Sequence, residues 1–233
     1  MLILAFETSA KAASVALQSG DTLLAESYQN SGQTHSATLL KMAQDLLAAC
    51  GRSPADVDAV AAAAGPGSFT GVRIGVAAAK GFAWGRELPL YGVSTLEAMA
   101  LGSGVMGGLI CPVMDARRSQ VYNALFDAEN CTRIAPDRAI SLADLEKELK
   151  KTEKDIFLVG DGAVLCYNTL NDFGPRLHLL PEQRRQQRAS GVALAALRAI
   201  AAGAAGDGAA LVPNYLRLSQ AERERLERLN STK

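Results

Sequence analysis

The sequence predicts an α/β protein of two related lobes, each a mixed sheet that opens with an antiparallel hairpin and is flanked by helices. After its opening hairpin the first half alternates helices with strands, a spacing that implies parallel crossovers. A glycine-rich junction without charge, "GSGVMGG" at 102–108, interrupts that alternation. Beyond it the opening pattern restarts. "LILAFETSAKAASVALQ" has a counterpart in "LICPVMDARRSQVYNALFD" from Leu109. Each is an apolar strand ending in an acid (Glu7, Asp115), then a basic polar turn, then an alternating strand, which is a weak internal repeat.

The elements follow in order. Leu2–Phe6 is a continuous apolar run and reads as a buried strand; Ala12–Gln18 and "TLLAESYQ" after Gly20-Asp21 complete an antiparallel start with tight turns. In "THSATLLKMAQDLLAACG", Thr34 sits at an N-cap position and Gly51 at a stop. Between them Leu39, Met42, Ala43, Leu46, Leu47 and Cys50 recur at helical spacing, and Leu40 widens the stripe. "VDAVAAAAG" reads as a buried strand by context, although its alanines equally allow helix. The loop "GPGSFTG" (65–71), a helix Val72–Gly85, the strand "LPLYGVS" and a helix Thr95–Leu101 close the first half. The second half predicts helices at Leu142–Lys150, Val164–Leu170 and Gly191–Ala202, with the strand "DIFLVGDG" among them. The lobes are assigned to 1–101 and 109–212, with 213–233 a terminal segment containing the charged helix Ser219–Leu229.

Composition narrows the classes. With 233 residues the chain can bury a real core, and its 24 basic and 24 acidic side chains cancel, which excludes nucleic-acid binding by bulk charge. Cys50, Cys111, Cys131 and Cys166 lack any CxxC pairing and read as reduced cysteines. The first residues lack a basic region and a long apolar run, and no stretch approaches ~18 apolar residues. A soluble, cytoplasmic protein is expected, with no membrane contact.

Two lobes that each begin strand–acid–turn–strand describe an actin-like (RNase H-like) architecture, in which hairpin turns grip phosphates. On that reading "ETSAKAAS" offers Thr8, Ser9 and Ser14 as ligands; equally, these hydroxyls satisfy their own turn. "GPGSFTG" raises the same pair of readings, since a helix start favours an anion while glycines also permit a tight turn. Candidate cofactor-binding residues are thus Thr8, Ser9, Gly65, Gly67 and Ser68. His35 and His178 are the only histidines, and no HxxH, HExxH or GxSxG spacing supports peptidase chemistry. Lys80, on an apolar helix, reads as an edge residue reaching solvent. Arg184, Arg185 and Arg188 of "PEQRRQQR" form a basic cluster suited to nucleic-acid phosphates, an acidic partner or plain solvation.

"ETSxxxxSVAL", "AxxAGPGSFTGVRIGxAxAKG" and "GVSTLEA", in this order, strongly resemble the TsaB family, in the glycoprotease-like branch of the actin-like superfamily. "PNYLR" (213–217) also fits, and the middle of the second lobe matches loosely. The resemblance implies a noncatalytic scaffold and activator of TsaD, in forming threonylcarbamoyladenosine beside the anticodon of tRNAs reading codons that begin with A. TsaD sequences carry two histidines four residues apart in a stretch like "GVNHLEGH", a spacing that suits a shared metal ion. Here Thr95 and Met99 occupy those positions and are not ligands for iron or zinc; Lys11 and Ala12 replace both acids of "ETSCDETSVA". No catalytic residue, metal or cofactor is expected. The implied partners are TsaD in a heterodimer, TsaE in a larger complex, and a second copy when the protein is alone, with tRNA contact indirect or weak. An actin-like ATPase or small-molecule kinase with its own nucleotide site is the alternative.

The helix 34–50 is apolar on more than one face, and Val72–Gly85 offers small residues plus Phe82 and Trp84. Two such helices suit a four-helix interface with another chain. Its predicted residues are Leu39, Leu40, Met42, Leu46, Leu47, Gly71, Gly75, Ala79 and Phe82. On the opposing reading, both faces belong to this chain's own core.

Overall fold

The computed structural model describes residues 1–217; the charged helix expected at Ser219–Leu229 lies outside the described residues. In the first lobe β1 (Leu2–Glu7), β2 (Ala13–Ser19) and β3 (Thr22–Gln29) form an antiparallel meander. Then follow α1 (His35–Ala49), β4 (Ala59–Ala63), α2 (Phe69–Trp84), β5 (Leu90–Val93) and α3 (Thr95–Gly102). The second lobe holds β6 (Leu109–Asp115), β7 (Gln120–Asp127), β8 (Thr132–Ser141), α4 (Leu142–Leu149), β9 (Ile156–Val159), α5 (Ala163–Thr169) and β10 (Leu177–Leu179). A short α6 (Glu182–Arg185) and α7 (Ala189–Ala201) follow. The sheet orders are β3-β2-β1-β4-β5 and β8-β7-β6-β9-β10, so the weak sequence repeat is a full topological repeat. Each central strand pairs antiparallel with its hairpin partner and parallel with the strand after the crossover.

Burial explains the run of apolar residues in β1. Leu2, Leu4 and Phe6 pack with Leu39, Leu46 and Leu47 of α1 and Ala79 and Ala83 of α2. Ile3 and Ala5 face the other way, toward Ala189, Val192 and Ala196 of α7. A strand covered on both faces reads as continuous rather than alternating. The same double cover makes "AVAAA" a strand: Val60 and Ala62 join the α1/α2 core, while Ala59, Ala61 and Ala63 join that of α7.

Three expectations change. The boundary 109–212 placed the helix at 191–202 in the second lobe, yet α7 crosses back to cover the first sheet. Its N-terminus is fixed there by β2 and β3: Ala189 N–H donates to Ser14 Oγ, Ser190 N–H to Glu26 Oε1, and Arg188 pairs with Glu26. Ser14 therefore has a structural task, its hydroxyl joined to both Glu26 and Ala189 N–H. Second, β8 and β10 were missed. β8 is an edge strand carrying Pro136 and several charges, features an edge tolerates, and β10 has three residues. Third, α2 begins at Phe69, because Ser68 caps it by accepting Gly71 N–H at 3.2 Å. Gly51 ends α1 as expected, with φ +63°.

α3 lies between the sheets, with Ala98 against the first lobe and Leu96, Met99 and Ala100 against Ile110, Met114 and Phe126 of the second. Among the described residues no helix is long and apolar enough to cross a membrane. All four cysteines are free, and Cys111 and Cys166 share the second lobe's core.

Candidate functional site

The repeat brings two turns face to face. The turn after β1 carries Thr8–Lys11, the turn after β6 carries Ala116–Ser119, and between them lies a cleft of about 600 Å³. Ser9, Lys11, Gly67, Ser68, Asp115, Arg117 and Asp161 line it, with Asn214–Arg217 along one side.

On the first lobe the "GPGSFTG" loop is spent on packing. Ser68 N–H donates to Ser9 O at 2.7 Å, and Thr8 Oγ1 donates to Gly71 O at 2.8 Å. A β-carbon at Gly67 would stand 2.6 Å from Ser9 O; at Gly71 and Gly75 it would collide with the Thr8 carbonyl and hydroxyl. The loop and the first turns of α2 therefore sit flush on the β1 turn, which only glycine allows. Positive φ is needed at Gly65 (+113°) and not at Gly67, whose role is close approach. Thr8 and Gly65 are consumed in these contacts, while Ser9, Gly67 and Ser68 reach the cleft.

Glu7 is buried to 1% exposure at the end of β1. One oxygen accepts Ser9 N–H at 2.5 Å; the other has no hydrogen-bond partner, and the Ser9 hydroxyl approaches without reaching bonding geometry. Burial pushes the carboxyl up to about 7, against the opposing hydrogen bond from Ser9 N–H, and the charge of Asp161 adds to the rise. In the sequence Glu7 is legible only as a strand-ending acid, because burial on both faces is a tertiary fact.

The second turn is strained. Arg117, Arg118 and Ser119 have φ of +64°, +55° and +56°, a conformation that costs L-residues roughly 1–2 kcal/mol each. Asp115 holds it from within, accepting Arg117 N–H at 2.7 Å and pairing with its guanidinium at 3.0 Å.

At the positions compared with the TsaD histidines, Thr95 and Met99 are buried between the lobes, and Thr95 Oγ1 has no hydrogen-bond partner. A buried hydroxyl and a thioether packed in an apolar cluster do not fit an iron or zinc ion. Among the described residues no three His, Cys, Asp or Glu side chains are grouped to hold a metal ion. Gly67, Gly71 and Gly75 are closed against Ser9 and Thr8, while Ser9, Gly67 and Ser68 also line the cleft. His35 contacts Ala10 O through Nε2 at 2.9 Å, and His178 stacks on Phe157 at the surface.

The predicted partner surface is largely internal. Leu39, Leu46, Leu47, Gly71, Gly75 and Ala79 are buried within this chain, so six of the nine positions cannot meet another chain. Met42 and Phe82 are half-buried and pack on the same core. Leu40 is 56% exposed. Among the residues exposed on the outer surfaces are Ala37, Leu40, Gln44 and Ala48 on α1, beside the Lys41–Asp45 ion pair, and Arg73, Ala77, Gly81 and Trp84 on α2. Helical spacing alone could not separate these faces, since leucines occupy both. The basic cluster is likewise engaged: Arg184 donates to Ser103 O, Arg185 to Leu180 O, and Arg188 binds Glu26 and lies over Tyr28.

Paired sheets of identical order, a cleft between hairpin turns and a mixed five-stranded core in each lobe define an actin-like two-lobed α/β protein. Comparison with known proteins places it further. Residues 23–225 match the family model "TsaD: tRNA N6-adenosine threonylcarbamoyltransferase". The tRNA threonylcarbamoyladenosine biosynthesis protein TsaB of Bacillus subtilis is 35% identical over 97% of this chain and 99% of its own. That of Escherichia coli is 43% identical over 55% of this chain and 56% of its own. A solved Pseudomonas aeruginosa structure, described as similar to peptidase YeaZ, superposes with TM-score 0.80 at 27% identity, covering 93% of this chain and 99% of that one. The chain belongs to the TsaB family.

Proposed function

We propose that this protein works in tRNA threonylcarbamoyladenosine biosynthesis as a noncatalytic companion of TsaD, presenting the outer face of α1 and α2 as its docking surface. The observation that carries the reading is that face. Leu40 and Trp84, the latter 83% exposed, share the outer surfaces of α1 and α2 with exposed small residues at Ala37, Ala77 and Gly81, on a chain that shares the TsaD family model along most of its length. Small residues let helix backbones approach closely, and two such helices can meet an equivalent pair from TsaD or from a second copy. TsaE would join this pair in a larger complex. With the arginine cluster engaged within the chain, tRNA contact is left chiefly to the partner. A pseudo-enzyme role accords with the packed glycine loop and the unsuited residues at Thr95 and Met99.

Replacing Leu40 or Ala77 with Glu is expected to leave the fold intact, since both side chains face solvent. Burying an unpaired charge in an apolar contact costs about 3–5 kcal/mol, so affinity for TsaD should fall roughly 100-fold or more. Analytical ultracentrifugation of each variant with TsaD, alongside the tRNA modification rate, measures this. Pairing at parental strength by both variants would place the docking surface elsewhere. For the ATPase or kinase alternative, titration calorimetry of the isolated protein with ATP and Mg²⁺ is expected to show no binding.

A further inference from the structure

We propose that Pro213–Arg217 is a releasable strap, latching the two lobes across the cleft and governing access to it. On the first lobe it is anchored along its backbone and through a ring. Asn214 N–H donates to Ala64 O at 2.6 Å, and a β-carbon at Gly65 would stand 2.5 Å from Asn214 O, so the strap lies directly on the glycine loop. Tyr215 stacks on Phe69 with centroids 4.6 Å apart, and its hydroxyl accepts Arg73 Nε–H at 2.7 Å. The Arg73 guanidinium in turn covers the Phe69 ring at 3.8 Å.

The hold on the second lobe is of another kind. Among the described residues, the strap's side-chain bonds there come from Arg217, which donates from one nitrogen to the carbonyls of both Ala116 and Arg117. These carbonyls belong to the turn whose next residues are forced into left-handed backbone. A guanidinium satisfying two of its acceptors stabilises a conformation that the chain otherwise disfavours. Among the described residues the asymmetry points to the end that lets go: backbone and stacking on the first lobe, the Arg217 side chain on the second. Lifting that end widens the way to Ser9, Lys11 and Asp161 and frees the Arg117–Ser119 turn to relax.

Trypsin reads the latch directly, because Arg117 and Arg118 are exposed, while a protease needs its substrate extended rather than coiled left-handed. In Arg217→Ala, cleavage after Arg117 or Arg118 should proceed at least 10-fold faster than in the parent, with amide exchange at 116–120 accelerated and the melting temperature within a few degrees. Tyr215→Ala should produce the same cleavage from the opposite anchor, with a smaller effect in Arg73→Ala. Parental cleavage and exchange rates in both Arg217→Ala and Tyr215→Ala would overturn the proposal. So would global unfolding of both, since the segment would then be a structural staple and not a latch.

Discussion

Gly71→Val is expected to disrupt the first lobe, whereas Gly81→Val, ten residues along the same helix, is expected to be harmless. A β-carbon at Gly71 falls on the Thr8 carbonyl oxygen, while one at Gly81 meets nothing within 4 Å. Neither backbone at the first site can yield easily. Thr8 is buried and bonded through its hydroxyl to Gly71 O, and the loop before α2 is tied to Ser9. Forcing bulk into a packed core costs about 1–3 kcal/mol and more where the backbone must move, so about 3 kcal/mol or more is expected for Gly71→Val. At roughly 2–4 °C per kcal/mol for a chain of this size, the melting temperature should fall by about 6–12 °C or the protein should fail to fold. Gly81→Val removes a glycine from an exposed helix and should change stability by less than about 1 kcal/mol. Equal melting of the two variants would show that the close approach of α2 to the β1 turn contributes little.

The second large effect depends on pH. Glu7 is raised from 4.5 to about 7 in the folded protein, so between these values the native state holds a proton that the unfolded chain has released. Its stabilising contribution is present in full below about pH 4.5 and is lost as the pH rises through 7. Ionising this buried carboxyl leaves a charge with one oxygen unpartnered. From pH 5 to pH 8 the parent should lose about 2–3 kcal/mol through this group. Glu7→Gln keeps an acceptor for Ser9 N–H but has no such titration. Whatever the amide costs at pH 5, the variant should gain on the parent by about 5–10 °C in melting temperature on going to pH 8. Profiles that run parallel across this range would mean that Glu7 is ionised or solvated throughout.

The physical origin of both effects bears on what could be read from the chain in one dimension. The glycines at 71 and 75 are legible as small residues on one helix, and those at 65 and 67 as a turn. Which surface Gly67, Gly71 and Gly75 met was not legible: they meet Thr8 and Ser9 of the same chain, about sixty residues earlier. Six of the nine residues expected at the partner surface turn inward for a related reason. A helix with leucines on two sides looks the same whether its second apolar side meets a sheet, a neighbouring helix or another protein. Here Leu39, Leu46 and Leu47 all went inward and left Leu40 outside.

Local chemistry along the chain determined the order of the first lobe's elements, the repeated strand–acid–turn opening and the glycine stop of α1. It also determined the side chains at Thr95 and Met99 that make a metal site unsuited. These follow from hydrophobic period, backbone freedom and ligand type, which act over a few residues. Only the tertiary structure decided that α7 returns to the first sheet, that the arginines of 184–188 are held within the chain, and that Glu7 titrates near neutrality. It alone laid Pro213–Arg217 across the cleft. Each of these depends on what a distant segment places within a few ångströms, and burial and charge pairing at that range carry no signature in the sequence around either partner.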